Sequence, residues 1–352
     1  MLNYIYNLAT DKDNGLLASL IKIFLYALSL AYGMIIRLLI FFYALRPYQA
    51  GCKVISVGNI TLGGTGKTPL VEYLAARLKG RGRKIAVVTR GYLSQDEPQM
   101  LEANLSNVPV IVDADRRRGI KRGIAEYGVD TVVLDDGFQQ WRIKKDLDIV
   151  VIDSQNPFGN RQMIPRGILR QPLSSLKSAQ VFVLTKTDLA PQIDRLKDFL
   201  RGINPGAVIT ESRHAALGFY ELGKKELLAA AAVFKEKPVA LLSGIGDPDY
   251  FAHSVKGTGI KIGLAFEFPD HYAYSSQDLD KIITACGVEG LDAIVTTEKD
   301  AVKLRKLQIT NSAAGGPAYG WHKLQIFVLR SELQITKNEQ GLLERLFKLY
   351  GA

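Results

Sequence analysis

The sequence predicts an α/β protein with a doubly wound, mostly parallel sheet, a second and smaller α/β domain, and a long N-terminal helix. Three observations predict it: short apolar runs that alternate with helical segments, a glycine-rich turn after the first run, and a long apolar stretch before it. Alternation of strands and helices is typical of parallel sheets covered by helices on both faces. With 352 residues, the chain is long enough for two domains.

The first predicted element is residues 16–45, in which the only charged residues are Lys22 and Arg37. The stretch is too long for a signal peptide and lacks its small-residue cleavage site. A helix of this kind could nearly cross a hydrocarbon layer of about 30 Å, or lie obliquely in one leaflet. A buried helix of a soluble domain is the alternative. We expect residues 1–47 to attach the protein to a membrane, at a depth that the sequence leaves open.

Six short runs predict the strands of a first domain, residues 48–205. Each run is apolar on both faces, as strands of a covered parallel sheet are. The runs are residues 53–60, 84–92, 109–112, 131–136, 147–153 and 180–186. Between the first two, residues 68–82 repeat apolar side chains at helical spacing and end in glycines, which predicts a crossover helix.

A second, smaller α/β domain is predicted over residues 237–352, after a linker region at residues 206–236 that contains an alanine-rich helix. Residues 311–320 are interpreted as a surface loop, and the last helix, at about residues 337–349, could pack on either domain. The strands of the second domain are expected within residues 237–248, 260–268, 291–300 and 323–330.

The net charge of +10 favours an anionic partner, such as a nucleotide, a nucleic acid, an acidic lipid surface or a phosphorylated substrate. Cys52 and Cys286 lie outside any CxxC pattern, so we expect neither a disulfide framework nor a zinc site. The basic runs 79–84 and 115–122 are interpreted as solvated helix ends, with contact to anionic headgroups as the alternative. They contain no interleaved aromatic residues, so nucleic acid is not expected as a partner.

Residues 58–69, GNITLGGTGKTP, predict a loop that holds phosphate groups, as in P-loop NTPases. Glycines let the backbone turn tightly and aim N–H groups at phosphate oxygens, and the next helix adds its positive N-terminal end. Lys67 can reach the β- and γ-phosphates, and the Thr68 hydroxyl suits a Mg²⁺ ligand. The strict pattern has glycine where this chain has Thr61. The residues predicted to bind the nucleotide here are Thr61, Gly63, Gly64, Thr65, Gly66, Lys67 and Thr68.

Two carboxylates, Asp135 and Asp136, end a predicted strand at the edge where open α/β sheets bind their ligands. A carboxylate in this position is typical of a Mg²⁺-nucleotide site. Adjacent carboxylates repel each other unless a cation or a hydrogen-bond donor holds them. The alternative is a structural turn between strand and helix.

Residues 185–188, TKTD, are similar to the guanine-binding tetrad of GTPases, with threonine in place of asparagine. A membrane-associated GTPase or metallochaperone is therefore the alternative function, and a non-catalytic nucleotide sensor is a third. Against the GTPase, Leu134 stands where a D-x-x-G switch would need aspartate. We interpret Lys186 and Asp188 as closing a turn at the end of a strand.

Taken together, the motifs resemble the tetraacyldisaccharide 4′-kinases of lipid A biosynthesis. The resemblance runs from about residue 51 to about residue 305, and its motifs occur in order along the chain. They are SVGNITLGGTGKTP, VVTRGY, DEP, DDGFQQWRIKKDLDIVVID, RGILRQPLSSLKSA, LSGIGDP, FPDHYAYS and TTEKDAVKL. The family also has an N-terminal membrane-associating helix, which matches residues 16–45.

The resemblance implies a kinase that transfers the γ-phosphoryl group of ATP to the 4′-hydroxyl of a tetraacyl glucosamine disaccharide 1-phosphate. It implies ATP as co-substrate, Mg²⁺ as cofactor, and a membrane-embedded glycolipid as acceptor. The further expectations are an anionic membrane surface as partner, no nucleic acid, no obligate protein partner, and a location at the cytoplasmic face of the inner membrane.

The resemblance also implies roles for single residues. Asp96 would be the general base, with His271 paired to it, while Lys67 and Arg170 would lie near the phosphates. A carboxylate within hydrogen-bond reach is the group that a sugar hydroxyl needs to lose its proton. The metal ligands implied are Thr68, Asp135, Asp136 and Glu97.

Two departures from the family pattern concern the surroundings of this site. The segment between RGY and DEP is shorter than is usual, so the surface that leads to Asp96 is expected to be remodelled. Gln171 stands where a glutamate commonly follows the arginine, so one carboxylate near the metal is missing.

Overall fold

The computed structural model describes residues 8, 11, 15–91, 96–224, 226–234, 237–313 and 324–351, which form two compact units. Unit 1 comprises Met1–Arg90, Asn107–Arg213 and Ile335–Ala352. Unit 2 comprises Gly91–Ser106 and His214–Gln334. The chain therefore passes from one unit to the other four times.

The helices and strands alternate along most of the chain. The strands are β1 (Lys53–Gly58), β2 (Ile85–Thr89), β3 (Val110–Val112), β4 (Thr131–Asp135), β5 (Leu147–Asp153), β6 (Val181–Thr185), β7 (Val208–Glu221), β8 (Val239–Ser243), β9 (Ile262–Glu267), β10 (Ala293–Thr297) and β11 (Gln325–Lys337). The α-helices are α1 (Leu16–Leu45), α2 (Lys67–Gly80), α3 (Asp96–Asn104), α4 (Arg116–Tyr127), α5 (Ile193–Ile203), α6 (Ala230–Phe234), α7 (Pro248–Lys256), α8 (Ser276–Val288), α9 (Glu298–Ala313) and α10 (Glu339–Phe347).

The strands of each unit pair in parallel. In unit 1 the order is β3-β2-β4-β1-β5-β6-β7, and in unit 2 it is β11-β10-β8-β9. Val54, Val132 and Leu134 pack in one buried cluster with Ile120 of α4. Because side chains alternate along a strand, their neighbours face the opposite side of the sheet. The doubly wound, mostly parallel α/β fold predicted from the sequence is confirmed.

Each predicted apolar run contains a strand, but β7 lies where the sequence indicated a linker. The segment has no long apolar run, because buried polar residues occupy its first half. Thr210 donates to the carbonyl oxygen of Phe182 at 3.4 Å, and Ser212 donates to that of Leu184 at 2.9 Å. Hydrogen bonds to β6 therefore satisfy side chains whose polarity concealed the strand from the sequence pattern.

The two units differ from the sequence-based domains in their limits. Residues 91–106, which the sequence assigns to the first domain, belong to unit 2. The sequence did not assign the last helix to either domain. It packs in unit 1, where the guanidinium of Arg81 lies 4.5 Å from the ring centre of Phe347. The predicted loop at residues 311–320 lies outside the described residues from position 314 onward. The domain limits drawn from the sequence stay a prediction.

Helix α1 contacts unit 1 along one narrow stripe. Ser29 donates to the carbonyl oxygen of Met163 at 2.7 Å and accepts from the amide of Arg166 at 2.9 Å. The large apolar side chains on the rest of the helix are exposed, from Leu16 at 87 % to Leu45 at 62 %. By length and composition, α1 is the one helix of the described residues able to cross a membrane. The buried residues of the stripe are Ala18, Ser29, Gly33 and Ile36.

Candidate active site

The loop between β1 and α2 has the backbone that its glycines predict. Gly63 and Gly66 have φ angles of +105° and +87°, a region in which a side chain would be strained. The loop is fixed at two points: the carbonyl oxygen of Thr61 accepts from Nδ2 of Asn59 at 3.0 Å, and that of Thr65 accepts from the Thr185 hydroxyl at 2.9 Å. Between these points Leu62, Gly63 and Gly64 are exposed, and the amide of Leu62 donates to the carbonyl oxygen of Ile168 at 2.8 Å.

Lys67 and Arg170 both lie against Asp136. The ammonium of Lys67 is 3.7 Å from Oδ1 of Asp136 and donates to Oδ1 of Asn59 at 3.3 Å. The guanidinium of Arg170 donates to both oxygens of Asp136, each at 2.8 Å, and also to the carbonyl oxygen of Asn59 at 2.8 Å. Two cations and one carboxylate thus meet beside the loop and leave an excess of positive charge.

Asp136 has a φ angle of +53°, which aspartate tolerates better than most residues do. Burial by itself would raise the pKa of Asp136, but the hydrogen bond from Arg170 and the charges of Lys67, Arg170 and Arg116 outweigh it. The pKa of Asp136 is lowered to about 2. Asp136 is therefore a carboxylate at any physiological pH.

Asp135 ends β4 and is buried next to its neighbour. Its Oδ2 atom accepts from the Thr89 hydroxyl at 3.3 Å, and its carbonyl oxygen accepts from Arg116 at 3.3 Å. With the hydroxyl of Thr68, in the first turn of α2, the two aspartates supply the oxygen ligands that Mg²⁺ prefers. Among the described residues no three His, Cys, Asp or Glu side chains form a metal cluster. A pair of carboxylates fits Mg²⁺, which usually takes one or two from the protein and completes its shell with phosphate and water.

The TKTD segment forms the turn expected at the end of β6. The amide of Leu189 donates to the carbonyl oxygen of Lys186 at 3.2 Å, and the Lys186 ammonium pairs with Asp153. Leu134, where a GTPase switch would need aspartate, is fully buried in β4.

Asp96 lies in unit 2, as the first residue of α3. It is buried, and its Oδ2 atom has no hydrogen-bond partner in the part of the chain that the structure describes. Among the described residues, Asp96 forms an ion pair with Lys303, whose ammonium lies 3.9 Å from Oδ2. That distance is too long for a hydrogen bond, so this oxygen keeps an unused acceptor.

His271 belongs to a second cluster of unit 2, centred on Lys299. The Lys299 ammonium lies 3.2 Å from Nε2 of His271, 2.9 Å from Asp270 and 3.2 Å from Glu97. Burial by itself would lower the pKa of Lys299, but the charges of Glu97 and Asp270 outweigh it and raise the pKa. Lys299 is therefore an ammonium shared by three side chains.

The structure groups the predicted residues differently from the sequence. In unit 1 it brings Lys67, Asp136 and Arg170 together beside the phosphate loop. In unit 2, Asp96 and His271 face two different lysines of α9, rather than each other, in the contacts described above. Glu97, which the resemblance placed among the metal ligands with Thr68, pairs with Lys299 in unit 2.

The site residues predicted from the sequence do not include four members of these clusters: Asn59, Asp270, Lys299 and Lys303. A signal for the lysines is present, because they are four residues apart and share one helix face. Gln171, the departure from the family pattern, is fully buried and accepts from the Trp141 indole at 3.2 Å. Its role in this chain is therefore a packed polar contact.

Comparisons with known proteins relate this chain to tetraacyldisaccharide 4′-kinases. A family model described as tetraacyldisaccharide-1-P 4′-kinase matches residues 21–349. A tetraacyldisaccharide 4′-kinase of Halothermothrix orenii is 32 % identical over 369 residues, covering 95 % of this chain and 94 % of the relative. One of Anaeromyxobacter dehalogenans is 36 % identical over 279 residues, with 73 % of each chain covered. The crystal structure of "apo" form LpxK from Aquifex aeolicus in complex with ATP is similar with a TM-score of 0.73 and 25 % identity, over 94 % of this chain and 99 % of that one.

Proposed function

The chain belongs to the tetraacyldisaccharide-1-P 4′-kinase family, and from this premise we propose how its residues carry out phosphoryl transfer. The protein is an ATP-dependent kinase of lipid A biosynthesis, and its acceptor is the 4′-hydroxyl of a tetraacyl disaccharide 1-phosphate. The observation that best supports the assignment of residues is the meeting of Lys67, Arg170 and Asp136 beside an open glycine loop.

The loop from Thr61 to Thr68 binds the triphosphate of ATP. Its exposed backbone N–H groups and the N-terminus of α2 face the phosphate oxygens. Lys67 and Arg170, which both contact Asp136, each have further N–H groups to donate to phosphate. Phosphoryl transfer depends mainly on positioning and on stabilising negative charge, and these two cations supply both.

Thr68, Asp135 and Asp136 would hold Mg²⁺, which would supply positive charge against the negative charge that develops on the phosphates during transfer. Asp135 is fixed for this role by the hydroxyl of Thr89, and Asp136 by Arg170. The excess positive charge of Lys67 and Arg170 keeps Asp136 ionised and ready to act as a ligand.

Asp96 is the general base that accepts the proton of the 4′-hydroxyl at Oδ2. The choice rests on burial and on an acceptor that no described donor occupies. A positioned base of this type contributes typically about 10²- to 10⁴-fold to the rate. His271 and Glu97, joined by Lys299 in the same unit, offer hydrogen-bond partners to the sugar.

Helix α1 attaches the enzyme to the cytoplasmic face of the inner membrane, where its glycolipid substrate is embedded. The buried stripe from Ala18 to Ile36 spans about 27 Å along the helix at about 1.5 Å per residue. Because that length is docked on unit 1, α1 enters one leaflet with its apolar side chains rather than crossing the bilayer. The exposed Arg37 meets the anionic headgroups at the surface, whereas Lys22 pairs with Asp11 at 2.9 Å.

The test is transfer of labelled γ-phosphate from ATP to the disaccharide lipid, compared with GTP hydrolysis in a mixture without lipid. We expect ATP-dependent transfer, a loss of about 10²-fold or more in Lys67→Ala, and wild-type transfer in Lys79→Ala, a control on the exposed side of the same helix. Asp96→Asn should lower kcat while ATP still binds. GTP turnover without lipid transfer would support the GTPase instead, and nucleotide binding without any turnover would support a sensor.

A further inference from the structure

Helix α9 turns two lysines toward the first turn of helix α3. Lys299 and Lys303 are four residues apart, so they lie on one face of the helix. The Lys299 ammonium is 3.2 Å from Glu97, and the Lys303 ammonium is 3.9 Å from Asp96. Each of the two acidic residues that begin α3 therefore faces its own lysine.

Asp96 needs a compensating charge because it is only 4 % exposed. A buried carboxylate without a counter-ion or hydrogen bonds carries a large desolvation penalty. Among the described residues, the ion pair that Asp96 forms is with Lys303, whose side chain is 9 % exposed. Both charges of this pair are thus largely removed from water. Their attraction is stronger in the protein interior than it would be in water.

Lys303 is held back from Asp96 by a second set of partners. Its ammonium donates to Oδ1 of Asp300 at 2.9 Å and lies 3.5 Å from the carbonyl oxygen of Gly244. Asp300 is fully buried and fixed in turn, because Oδ2 accepts from the Gly244 amide at 2.9 Å and from the Thr297 hydroxyl at 2.7 Å. The lysine therefore hydrogen-bonds to Asp300 and faces Asp96 from a longer distance.

We propose that Lys303 is a positioning residue for the catalytic base, compensating the charge of Asp96 without donating a hydrogen bond to Oδ2. The inference rests on the role of Asp96 proposed above. An ammonium bonded directly to Oδ2 would occupy the acceptor that the 4′-hydroxyl has to reach. From 3.9 Å the same ammonium stabilises the carboxylate electrostatically and leaves the oxygen open.

Asp300 is the residue that makes this arrangement possible. If Lys303 served only to join α9 to α3, its ammonium would be expected to lie within hydrogen-bond distance of Asp96, since buried ion pairs are favourable only with good geometry. Here the good geometry is with Asp300, on the same helix, and the longer distance is with Asp96. The Lys303 ammonium thus interacts with two carboxylates: it donates a hydrogen bond to Asp300 and is a nearby positive charge for Asp96.

The first test is Lys303→Met, which removes the charge and keeps an unbranched side chain. We expect kcat to fall about tenfold or more, with KM for ATP within about twofold of wild type. Lys303→Arg restores the charge and should recover part of kcat. Lys306→Met, at an exposed lysine on the same helix, is the matched control and should keep the wild-type kcat.

The second test combines Lys303→Met with Asp96→Asn. Asp96→Asn alone should lower kcat by about 10²-fold or more. If Lys303 acts through the carboxylate, adding Lys303→Met to Asp96→Asn causes no further loss of kcat. If the loss of kcat in the double variant equals the product of the losses in the two single variants, the inference is overturned, since independent sites combine in that way. Melting temperatures of all variants show whether each is folded, and Lys303→Gln replaces the methionine variant should that one fail to fold.

The outcomes separate this inference from the proposed function. Wild-type kcat in Lys303→Met together with an inactive Asp96→Asn would overturn the positioning role and leave the base in place. Wild-type kcat in Asp96→Asn would overturn the base, and the inference with it. The lysine would be purely structural if kcat falls in Lys303→Met, is not restored in Lys303→Arg, and falls further when Lys303→Met is added to Asp96→Asn.

Discussion

Asp136 is the residue at which the charges of unit 1 converge. It forms a two-point contact with Arg170 and an ion pair with Lys67. Asp136 holds both cations beside the glycine loop, where phosphate is proposed to bind. The same contacts lower the pKa of Asp136 to about 2.

We expect Asp136 to make the free energy of unfolding of the metal-free enzyme depend on pH between about 4 and 2. The pKa is near 3.8 in the unfolded chain and about 2 in the folded one. The carboxylate therefore stabilises the fold above about pH 4, and this stabilisation is lost as the pH falls through about 2. Asp136→Asn should unfold more easily than wild type at about pH 5, by less than about 1 kcal/mol because the side chain is 39 % exposed. Urea titrations across this pH range measure the difference.

A matched control for this measurement is Asp198→Asn, at a carboxylate that is 73 % exposed. It should show a much smaller difference from wild type at each pH. A difference for Asp136→Asn that stays constant down to about pH 2 would show that the substitution acts through packing and not through charge.

Among the elements, α1 combines two surfaces that a soluble helix would not need together. One stripe is docked by polar contacts, including Tyr32, whose hydroxyl donates to the carbonyl oxygen of Arg170 at 2.8 Å. The opposite side exposes phenylalanines and leucines along the whole length. The helix thus links this exposed apolar surface to the loop that carries Arg170.

We expect the double variant Phe24→Lys with Phe41→Lys to lower binding to anionic vesicles at least about tenfold. The reason is that burial of each phenylalanine side chain in the bilayer contributes about 1.5–3 kcal/mol to the free energy of binding. The two phenylalanines are 63 % and 61 % exposed, so the fold should be unchanged. Sedimentation with vesicles and the melting temperature measure the two effects.

The control places the same charges on exposed apolar residues of unit 2, as Leu227→Lys with Val288→Lys. This variant should sediment with vesicles as wild type does. Equal binding by both double variants would mean that a surface other than α1, such as the basic runs, attaches the protein.

At the scale of the whole molecule, each unit is assembled from separate stretches of chain. Unit 2 needs residues 91–106 for its fold, since α3 packs on α9. Unit 1 needs the C-terminal helix, where Glu339 pairs with Arg77 at 2.7 Å and Tyr350 bonds to Thr131 at 2.8 Å. Contacts distant in sequence therefore complete both cores.

For this reason we expect the isolated fragment 237–352 to lack a cooperative unfolding transition. It contains α9 and β11 but neither α3 nor the second half of β7. Circular dichroism during a urea titration would detect the missing transition. Co-expression with residues 1–236 is the control, and should recover a soluble, folded pair. A cooperative transition in the fragment alone would support the domain limits predicted from the sequence.

The sequence determined the architecture and the chemistry of the phosphate loop. Strands apolar on both faces require covering helices, and a run such as GGTGKT has few uses other than turning a backbone around phosphate. Local patterns were sufficient for this prediction because the residues proposed to act together, such as Lys67 and Thr68, are close in the chain.

Only the tertiary structure decided which charges meet. Strand β7 was concealed because its buried Thr210 and Ser212 are satisfied by neighbours that the sequence does not reveal. The lysines that face Asp96 and His271 lie about 200 and 30 residues away in the chain, so no local pattern joins them. Burial and ion pairing depend on which distant segments are folded together, and for that reason the partners of Asp96 could be read only from the folded chain.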